Sequence, residues 1–177
     1  MKSLGQLLEE KKLRVFDMDD TLITTDSKIY VTHSDGKKSV LTPGQYAVYN
    51  DKPGDVFDFS DFEKLVNPKL ISWTFDIFRK VASTKGPDRK TAILTARGHP
   101  GPIKKFFGDM GFKDIEVIAL SSSNPADKAK WIESQIVNGF DDILFLDDSI
   151  KNVNAVKELK KKYPHVKLNV THVKGGH

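Results

Sequence analysis

The chain has 177 residues, of which 38% are hydrophobic and 29% are charged, and its formal net charge is +4. This length allows one sizeable hydrophobic core and is too short for two ordinary domains, so we expect a single domain over residues 1–177. The sequence has no cysteine, which excludes disulfides and thiolate metal sites, and no apolar run long enough to cross a membrane.

The first twelve residues include Glu9 and Glu10 and lack an apolar signal core, which predicts a short amphipathic helix and a cytoplasmic protein without a membrane partner. The following Arg14-Val15-Phe16 predicts the end of a buried strand, because β-branched and aromatic residues suit a sheet covered on both faces. Asp17 and Asp19 come directly after it. Open α/β sheets bind ligands at the carboxyl ends of their strands, so we expect both carboxylates to point into a crevice.

A simpler interpretation is that these acids end the strand or cap the next helix. Strand alternation would place Asp17 and Asp19 on one side of the chain and Asp20 on the other. Two close carboxylates repel each other unless a cation lies between them or one keeps its proton.

Residues 22–67 have no long helical period, and we expect them to form a small insert that leans over the crevice without making a full cap domain. Asp35-Gly36 between two β-rich runs predicts a hairpin. A short helix from Thr42 to Tyr49 and a short strand from Val56 to Phe59 should complete this flap.

The rest of the chain alternates between helical and strand patterns. A helix is predicted to start at Pro68, with Asn67 as its cap and with Trp73 and Phe78 in the core. The later predicted elements are strands at 91–95, 115–120, 143–146 and 166–173 and helices at 102–110, 126–137 and 150–159. This alternation predicts an α/β fold with right-handed crossovers and a parallel sheet.

Two further strand tips carry polar groups. Asp147 and Asp148 follow a nearly all-apolar strand, as Asp17 and Asp19 do, and oxygen ligands without His or Cys indicate Mg²⁺. At the other tip, the Thr95 hydroxyl and the amides of Ala96 and Arg97 could bind a phosphate, although Thr95 could also simply cap the loop. Lys128 lies in the first turn of a predicted helix, where a cation is unfavourable on dipole grounds, so it is either an active-site charge or a solvated lysine.

Taken together, these stretches resemble the four motifs of the haloacid dehalogenase-like superfamily of phosphotransferases. Asp17-Met18-Asp19-Asp20-Thr21 is similar to the first motif, Leu94-Thr95-Ala96-Arg97 to the second, Lys128 to the third and Leu146-Asp147-Asp148 to the fourth. The resemblance spans Arg14 to Asn152. It implies a three-layer Rossmann-like parallel sheet with the first motif on the central strand.

The resemblance also implies a mechanism. Asp17 would attack phosphorus and form an aspartyl-phosphate, while Asp19 would protonate the leaving oxygen and later deprotonate water. Mg²⁺ would be held by Asp17, the backbone carbonyl of Asp19 and Asp147, with Asp148 acting through water. Thr95 and Lys128 would hold phosphate oxygens.

The layout is similar to the phosphatase half of polynucleotide kinase-phosphatases, which have a second-motif arginine, matched by Arg97, and a paired-Asp fourth motif. A small insert leaves the site open to large substrates, so we expect a polynucleotide 3′-phosphatase acting on nucleic-acid ends. The lysines at 104–105 and 157–162 agree with this, or form solvated helix faces. The alternatives are a nucleotide or sugar phosphatase, a phosphoprotein phosphatase and a non-catalytic binding module.

Overall fold

The computed structural model describes residues 10–174. In chain order its strands and helices are β1 (Lys12–Phe16), β2 (Ile23–Thr24), β3 (Ile29–Thr32), β4 (Lys38–Leu41), α1 (Pro43–Ala47), β5 (Val56–Asp58), a 3₁₀ turn (Ser60–Glu63), β6 (Lys69–Leu70), α2 (Ser72–Ser83), β7 (Arg89–Thr95), α3 (Pro100–Asp109), β8 (Glu116–Ala119), α4 (Pro125–Val137), β9 (Asp142–Asp147), α5 (Ile150–Lys157), α6 (Leu159–Lys162) and β10 (Lys167–His172). The predicted N-terminal helix falls mostly outside the described residues, and its last residue, Lys12, belongs to β1.

The main sheet has five parallel strands in the order β10-β9-β1-β7-β8, so β1 is central. Helices flank the sheet, which confirms the predicted α/β class and is compatible with a Rossmann-like fold. Phe16 pairs with Ile93 of β7 on one side and with Leu146 of β9 on the other. This register brings the carboxyl ends of three strands to the same edge of the sheet.

Side chains alternate along β1 and enter two separate cores. Leu13 and Val15 belong to one buried cluster, and Phe16 belongs to the other. The second cluster is aromatic: the Phe78 ring lies 5.3 Å from Phe16 and 5.3 Å from Phe107, measured between centroids. The sheet is therefore covered on both faces, as its apolar strands require.

The predicted start of the helix after Asn67 is wrong. Asn67 adopts a left-handed conformation (φ 52°), and Lys69–Leu70 forms β6, which pairs antiparallel with β2. The Ile71 amide then donates to the Leu22 carbonyl at 2.8 Å. These long-range backbone hydrogen bonds override the local signal of Asn67 and proline, so α2 begins only at Ser72.

The prediction that Trp73 lies in the core is also wrong. Thr74, Phe75 and Phe78 form the buried side of α2, while Trp73 is 46% exposed. Successive helical residues are about 100° apart around the axis, which places Trp73 about 150° from the midpoint between Thr74 and Phe75 and so away from the core. Phe78 is fully buried, as predicted.

The insert folds into a three-stranded antiparallel sheet in the order β4-β3-β5. Gly36, with φ +83°, makes the predicted hairpin turn, and Thr42 caps α1 through a reciprocal pair of hydrogen bonds with Gln45. The helix ends at Ala47, two residues before the predicted Tyr49. Antiparallel pairing of β2 with β6 closes the base of the insert.

A polar network lies within the insert. The His33 ring contacts the Asp55 carboxylate through Nδ1 (2.7 Å) and the Ser39 hydroxyl through Nε2 (2.7 Å). Burial of the Asp55 carboxyl opposes its ionisation, but hydrogen bonds from the Lys52 amide, the Tyr49 hydroxyl and His33 outweigh this and lower the pKa of Asp55 to about 2. The hydrogen bond from the Tyr49 hydroxyl to Asp55 also raises the pKa of Tyr49 to about 12.

The remaining predicted elements differ from the observed ones at their ends. The helix predicted at 102–110 is α3, which starts earlier, and the helix predicted at 150–159 ends at Lys157 before a separate short α6. None of the helices between residues 10 and 174 has the length and apolar character that a membrane crossing needs.

Truncation of Phe78 is expected to destabilise the domain. Phe78→Ala should lower the free energy of unfolding by about 3–5 kcal/mol, because it leaves a cavity among packed rings. Trp73→Ala on the same helix is the matched control and should cost less than about 1 kcal/mol. Urea denaturation measures both, and equal losses would contradict the assignment of the core face.

The Asp55 network should give the insert a pH-dependent stability. Because its folded pKa is lowered to about 2 from the usual 3.8, the stabilisation is present above pH 3.8 and is lost as the pH falls towards 2. Asp55→Asn should remove this part of the pH dependence. Hydrogen exchange of β3 to β5 between those pH values measures it, with Asp51→Asn as the control, and unchanged exchange profiles would refute it.

Candidate active site

The carboxyl ends of β1 and β9 place two acids side by side. The Asp17 amide donates to the Leu146 carbonyl at 2.9 Å, which extends the β1–β9 pairing as far as the acids. Asp17 is 7% exposed and Asp147 is fully buried. The predicted strand-tip acids therefore lie inside the protein at the edge of the sheet.

A tight turn follows Asp17. The Met18 carbonyl accepts hydrogen bonds from the amides of Thr21, Leu22 and Ile23, and Asp20 takes a left-handed conformation with φ 61°. The turn returns the Thr21 side chain to the strand tip. There the Thr21 hydroxyl donates to Asp17 Oδ2 at 2.8 Å and accepts from the Asp148 amide at 3.0 Å.

Lys128 supplies a buried positive charge between two acids. It lies in the first turn of α4, which begins after the Asn124 cap, and its side chain is 3% exposed. Its Nζ lies 2.7 Å from Asp17 Oδ1 and 2.8 Å from Asp147 Oδ2. Burial alone would lower the pKa of Lys128, but the two carboxylates outweigh it and raise that pKa, so the lysine is charged.

Three carboxyl groups cluster beside this lysine. Oxygen atoms of Asp17, Asp147 and Asp148 lie within 4.8 Å of one another. Burial and repulsion from Asp17 raise the pKa of Asp147 and raise that of Asp148 to about 9. One lysine does not balance three ionised carboxylates, so one of these acids keeps its proton unless a further cation is bound, and the donor set, all carboxylate oxygen, fits Mg²⁺.

Three residues that orient this cluster, Asn152, Ser149 and Thr21, were not assigned a role from the sequence. Asn152, on the first turn of α5, donates from Nδ2 to Asp147 Oδ2 at 3.0 Å, and the Ser149 amide donates to Asp147 Oδ1 at 2.8 Å. Thr21 was within the recognised first motif but had no assigned role. The signal available for Asn152 was a polar residue one helical turn after a strand-tip acid.

Asp19 is directed differently from the expectation that it shares a side with Asp17. Its carboxylate lies outside the three-acid cluster and pairs with Arg97, with Nε to Oδ2 at 2.9 Å and Nη2 to Oδ1 at 2.8 Å. The side chain of Asp19 remains 35% exposed. Asp17 and Asp19 are thus held by different cations, Lys128 for Asp17 and Arg97 for Asp19.

The second predicted tip is also at this edge of the sheet. Thr95 is 1% exposed, and its hydroxyl accepts from the Arg97 amide at 3.1 Å, which is the loop-capping role named above as the alternative. Ala96 is exposed, and its carbonyl accepts from the Ser122 amide at 3.2 Å. The structure thus brings Thr95, Ala96 and Arg97 near the acids, with one of the expected phosphate-binding amides already engaged.

Comparison of the chain with models of protein families, with curated proteins and with solved structures found no match. The residues of the site are therefore the basis on which a function is proposed below.

Removal of the Lys128 charge is expected to destabilise the protein strongly. Lys128→Met should lower the free energy of unfolding at neutral pH by about 3–5 kcal/mol, because it leaves two buried acids without their partner. Lys130→Met, an exposed position on the same helix, should cost less than about 0.5 kcal/mol. Urea denaturation compares the two, and a stable Lys128 variant would show that the ion pairs are dispensable for folding.

Proposed function

We propose that this protein is a Mg²⁺-dependent phosphomonoester hydrolase of the haloacid dehalogenase-like superfamily that acts through an aspartyl-phosphate on Asp17. The observation that carries the proposal is the environment of Asp17. One carboxylate oxygen is held by Lys128 and the other by Thr21, beside two further acids. The four sequence motifs, which lie at one edge of the sheet, support the same assignment.

Asp17 is suited to attack phosphorus because it is held still. A carboxylate is a weak nucleophile, and phosphoryl transfer depends mainly on positioning and on neutralisation of charge. The contacts to Lys128 and Thr21 restrict the carboxylate, and the lysine reduces its repulsion of an incoming phosphate. Attack forms the bond from Asp17 oxygen to phosphorus as the ester P–O bond breaks.

Asp19 is suited to handle the proton. In the first step it protonates the leaving oxygen, and in the second it takes a proton from the water that hydrolyses the aspartyl-phosphate. Both of its oxygens accept hydrogen bonds from Arg97, and because the side chain is 35% exposed, the edge of the carboxylate that faces away from Arg97 is open to a bound ester. A pair of acids in different environments, one for attack and one for proton transfer, suits this division of roles.

Mg²⁺ would be held by Asp17, Asp147 and Asp148 and by the backbone carbonyl of Asp19. The raised pKa values of Asp147 and Asp148 support this, because burial and repulsion between the acids raise them and a bound cation would favour the ionised carboxylates. When bound, Mg²⁺ supplies positive charge that offsets the charge on the phosphate oxygens. Asn152 and Ser149 orient the Asp147 carboxylate for that purpose.

For the substrate, we place 3′-phosphorylated nucleic-acid ends first, because the insert is a small sheet that cannot enclose a substrate as a full cap would. Tyr46 and Phe59 on the insert are 38% and 43% exposed and could stack on bases. The Tyr49 hydroxyl donates to the Asp55 carboxylate at 2.7 Å, which holds this ring within the insert.

Small phosphate esters are the second candidate. Residues 22–67 contain seven acids against five lysines, which does not favour a polyanion near the site. Lys161 and Lys162 of the basic run are paired with Glu158 (3.0 Å) and Glu133 (3.2 Å). These pairs favour the solvated-face interpretation of that run.

Phosphate release tests the proposal. With Mg²⁺, the wild type should hydrolyse at least one of a 3′-phosphorylated oligonucleotide, a 5′-phosphorylated one, mononucleotides, sugar phosphates, a phosphopeptide and an aryl phosphate. Asp17→Asn should reduce turnover by about a thousandfold or more, because the amide is not a nucleophile. Removal of Mg²⁺ with EDTA should have a similar effect.

Asp76→Asn, an exposed acid on α2, is the matched control and should retain full activity. Activity of Asp17→Asn equal to that of the wild type would refute the mechanism. A strong preference for the 3′ end over the 5′ end and small esters would select the first substrate candidate, and the reverse preference would select the second.

A further inference from the structure

We propose that Arg97 is a positioning residue that connects Asp19 to the neck of the insert, so that the orientation of the Asp19 carboxylate, the proposed proton donor, depends on the insert. The neck is defined here as residues 23–27 and 62–70, the two segments at the start and the end of the insert, where it joins the domain. This inference rests on the proposed role of Asp19 in protonating the leaving oxygen. It assigns Arg97 a role different from the phosphate binding expected from the sequence.

The contact between Arg97 and Asp19 is a two-point contact. Nε and Nη2 donate to the two carboxylate oxygens at 2.9 and 2.8 Å. A planar guanidinium fork that meets both oxygens of a carboxylate fixes its rotation as well as its position. Arg97 therefore determines which way the Asp19 carboxylate faces.

The remaining donors of Arg97 reach both segments of the neck. Nη1 donates to the carbonyl oxygens of Lys64 (2.8 Å) and Phe62 (3.3 Å). Nη2 also contacts the hydroxyls of Thr25 (3.3 Å) and Ser27 (3.5 Å). The Arg97 guanidinium lies 5.0 Å from the centroid of the Phe62 ring. One cation thus connects the start of the insert, its end and the proton donor.

Arg97 is not positioned as a free phosphate ligand. Its side chain is 4% exposed, and each of its three guanidinium nitrogens has at least one acceptor within the protein. Binding a phosphate would require it to give up one of these hydrogen bonds in a buried setting, which is costly. Lys128, beside Asp17, already supplies a cation at the reacting carboxylate.

Asp17 and Asp19 can be perturbed separately because different residues hold them in place. Asp17 is held by Lys128 and Thr21, neither of which contacts Arg97 in the hydrogen bonds and ion pairs described above. Loss of Arg97 should leave attack by Asp17 intact and impair the proton transfer from Asp19. That transfer matters only when the leaving oxygen needs a proton as the P–O bond breaks.

Leaving-group dependence separates the two roles. The anion of 2,4-dinitrophenol departs without a proton, whereas phenolate departs much faster when an acid protonates it. The quantity kcat/KM reports the first phosphoryl transfer for both esters. A positioning defect at Asp19 should lower kcat/KM for phenyl phosphate and spare 2,4-dinitrophenyl phosphate, while a phosphate-binding defect should lower both equally.

The test measures kcat/KM for both esters with Mg²⁺ in Arg97→Lys, Thr25→Val and Ser27→Ala. Arg97→Lys keeps the positive charge but loses the planar guanidinium that hydrogen-bonds to both oxygens of Asp19. We expect its kcat/KM to fall about tenfold to a hundredfold for phenyl phosphate and less than about threefold for 2,4-dinitrophenyl phosphate, in keeping with the size of general acid catalysis. Inhibition by inorganic phosphate should be unchanged.

The two neck variants leave Arg97 and Asp19 in place and should show the same selective loss at a smaller size, about twofold to fivefold. Arg79→Lys, an exposed arginine on α2, is the matched control and should behave like the wild type for both esters. If Arg97→Lys fails to fold, judged by circular dichroism, the two neck variants decide the test. The deciding quantity is then the ratio of kcat/KM for phenyl phosphate to kcat/KM for 2,4-dinitrophenyl phosphate.

Equal losses for both esters, with weaker inhibition by phosphate, would make Arg97 a phosphate ligand and overturn the proposal. An unchanged ester ratio in the neck variants would overturn the link to the insert. If the wild type hydrolysed neither ester nor any substrate of the panel above, the proposed function itself would fail, which is distinguishable from failure of the Arg97 variants alone.

Discussion

The ammonium group of Lys128, buried between two carboxylates, is the interaction on which the rest of the site depends. Asp17 and Asp147 come from neighbouring strands whose pairing brings them together inside the protein. Burying two like charges would be prohibitive without a compensating cation, and the lysine from α4 supplies only one. Burial and the repulsion from Asp17 and Asp147 explain the raised pKa of Asp148, and the divalent cation that we propose would relieve that repulsion.

The acids of the site are held by two different parts of the protein. Asp17 and Asp147 are anchored in the parallel sheet, whose strands are covered on both faces. Asp19 is anchored through Arg97 to the neck of the insert. The insert has its own polar network around Asp55 and its own small sheet, so its internal contacts are separate from those of the main sheet.

Local pattern was sufficient for most of the elements and failed where long-range pairing competed with it. Apolar runs such as Ile143 to Leu146 predict buried strands because every residue in them must be covered. Asn67 and Pro68 carry a good local signal for a helix start, yet the chain there pairs with β2, because the backbone groups at the base of the insert find partners across the sheet. Trp73 was misplaced for a different reason: it falls on the repeating apolar spacing of the helix, whereas tertiary packing buries the side that carries Thr74, Phe75 and Phe78.

By itself, the sequence determined the chemistry available to this protein: the alternation that makes a parallel sheet, the strand-tip acids, the lysine of α4 and the arginine that follows β7. Strand polarity forces those acids to one edge, which is why they could be named in advance. Only the tertiary structure decided the partners, because they come from residues far apart in the chain. It assigned Lys128 to Asp17 and Asp147, Arg97 to Asp19, and Asn152 to Asp147, and it joined Asp19 to the neck of the insert through side-chain geometry that no local pattern encodes.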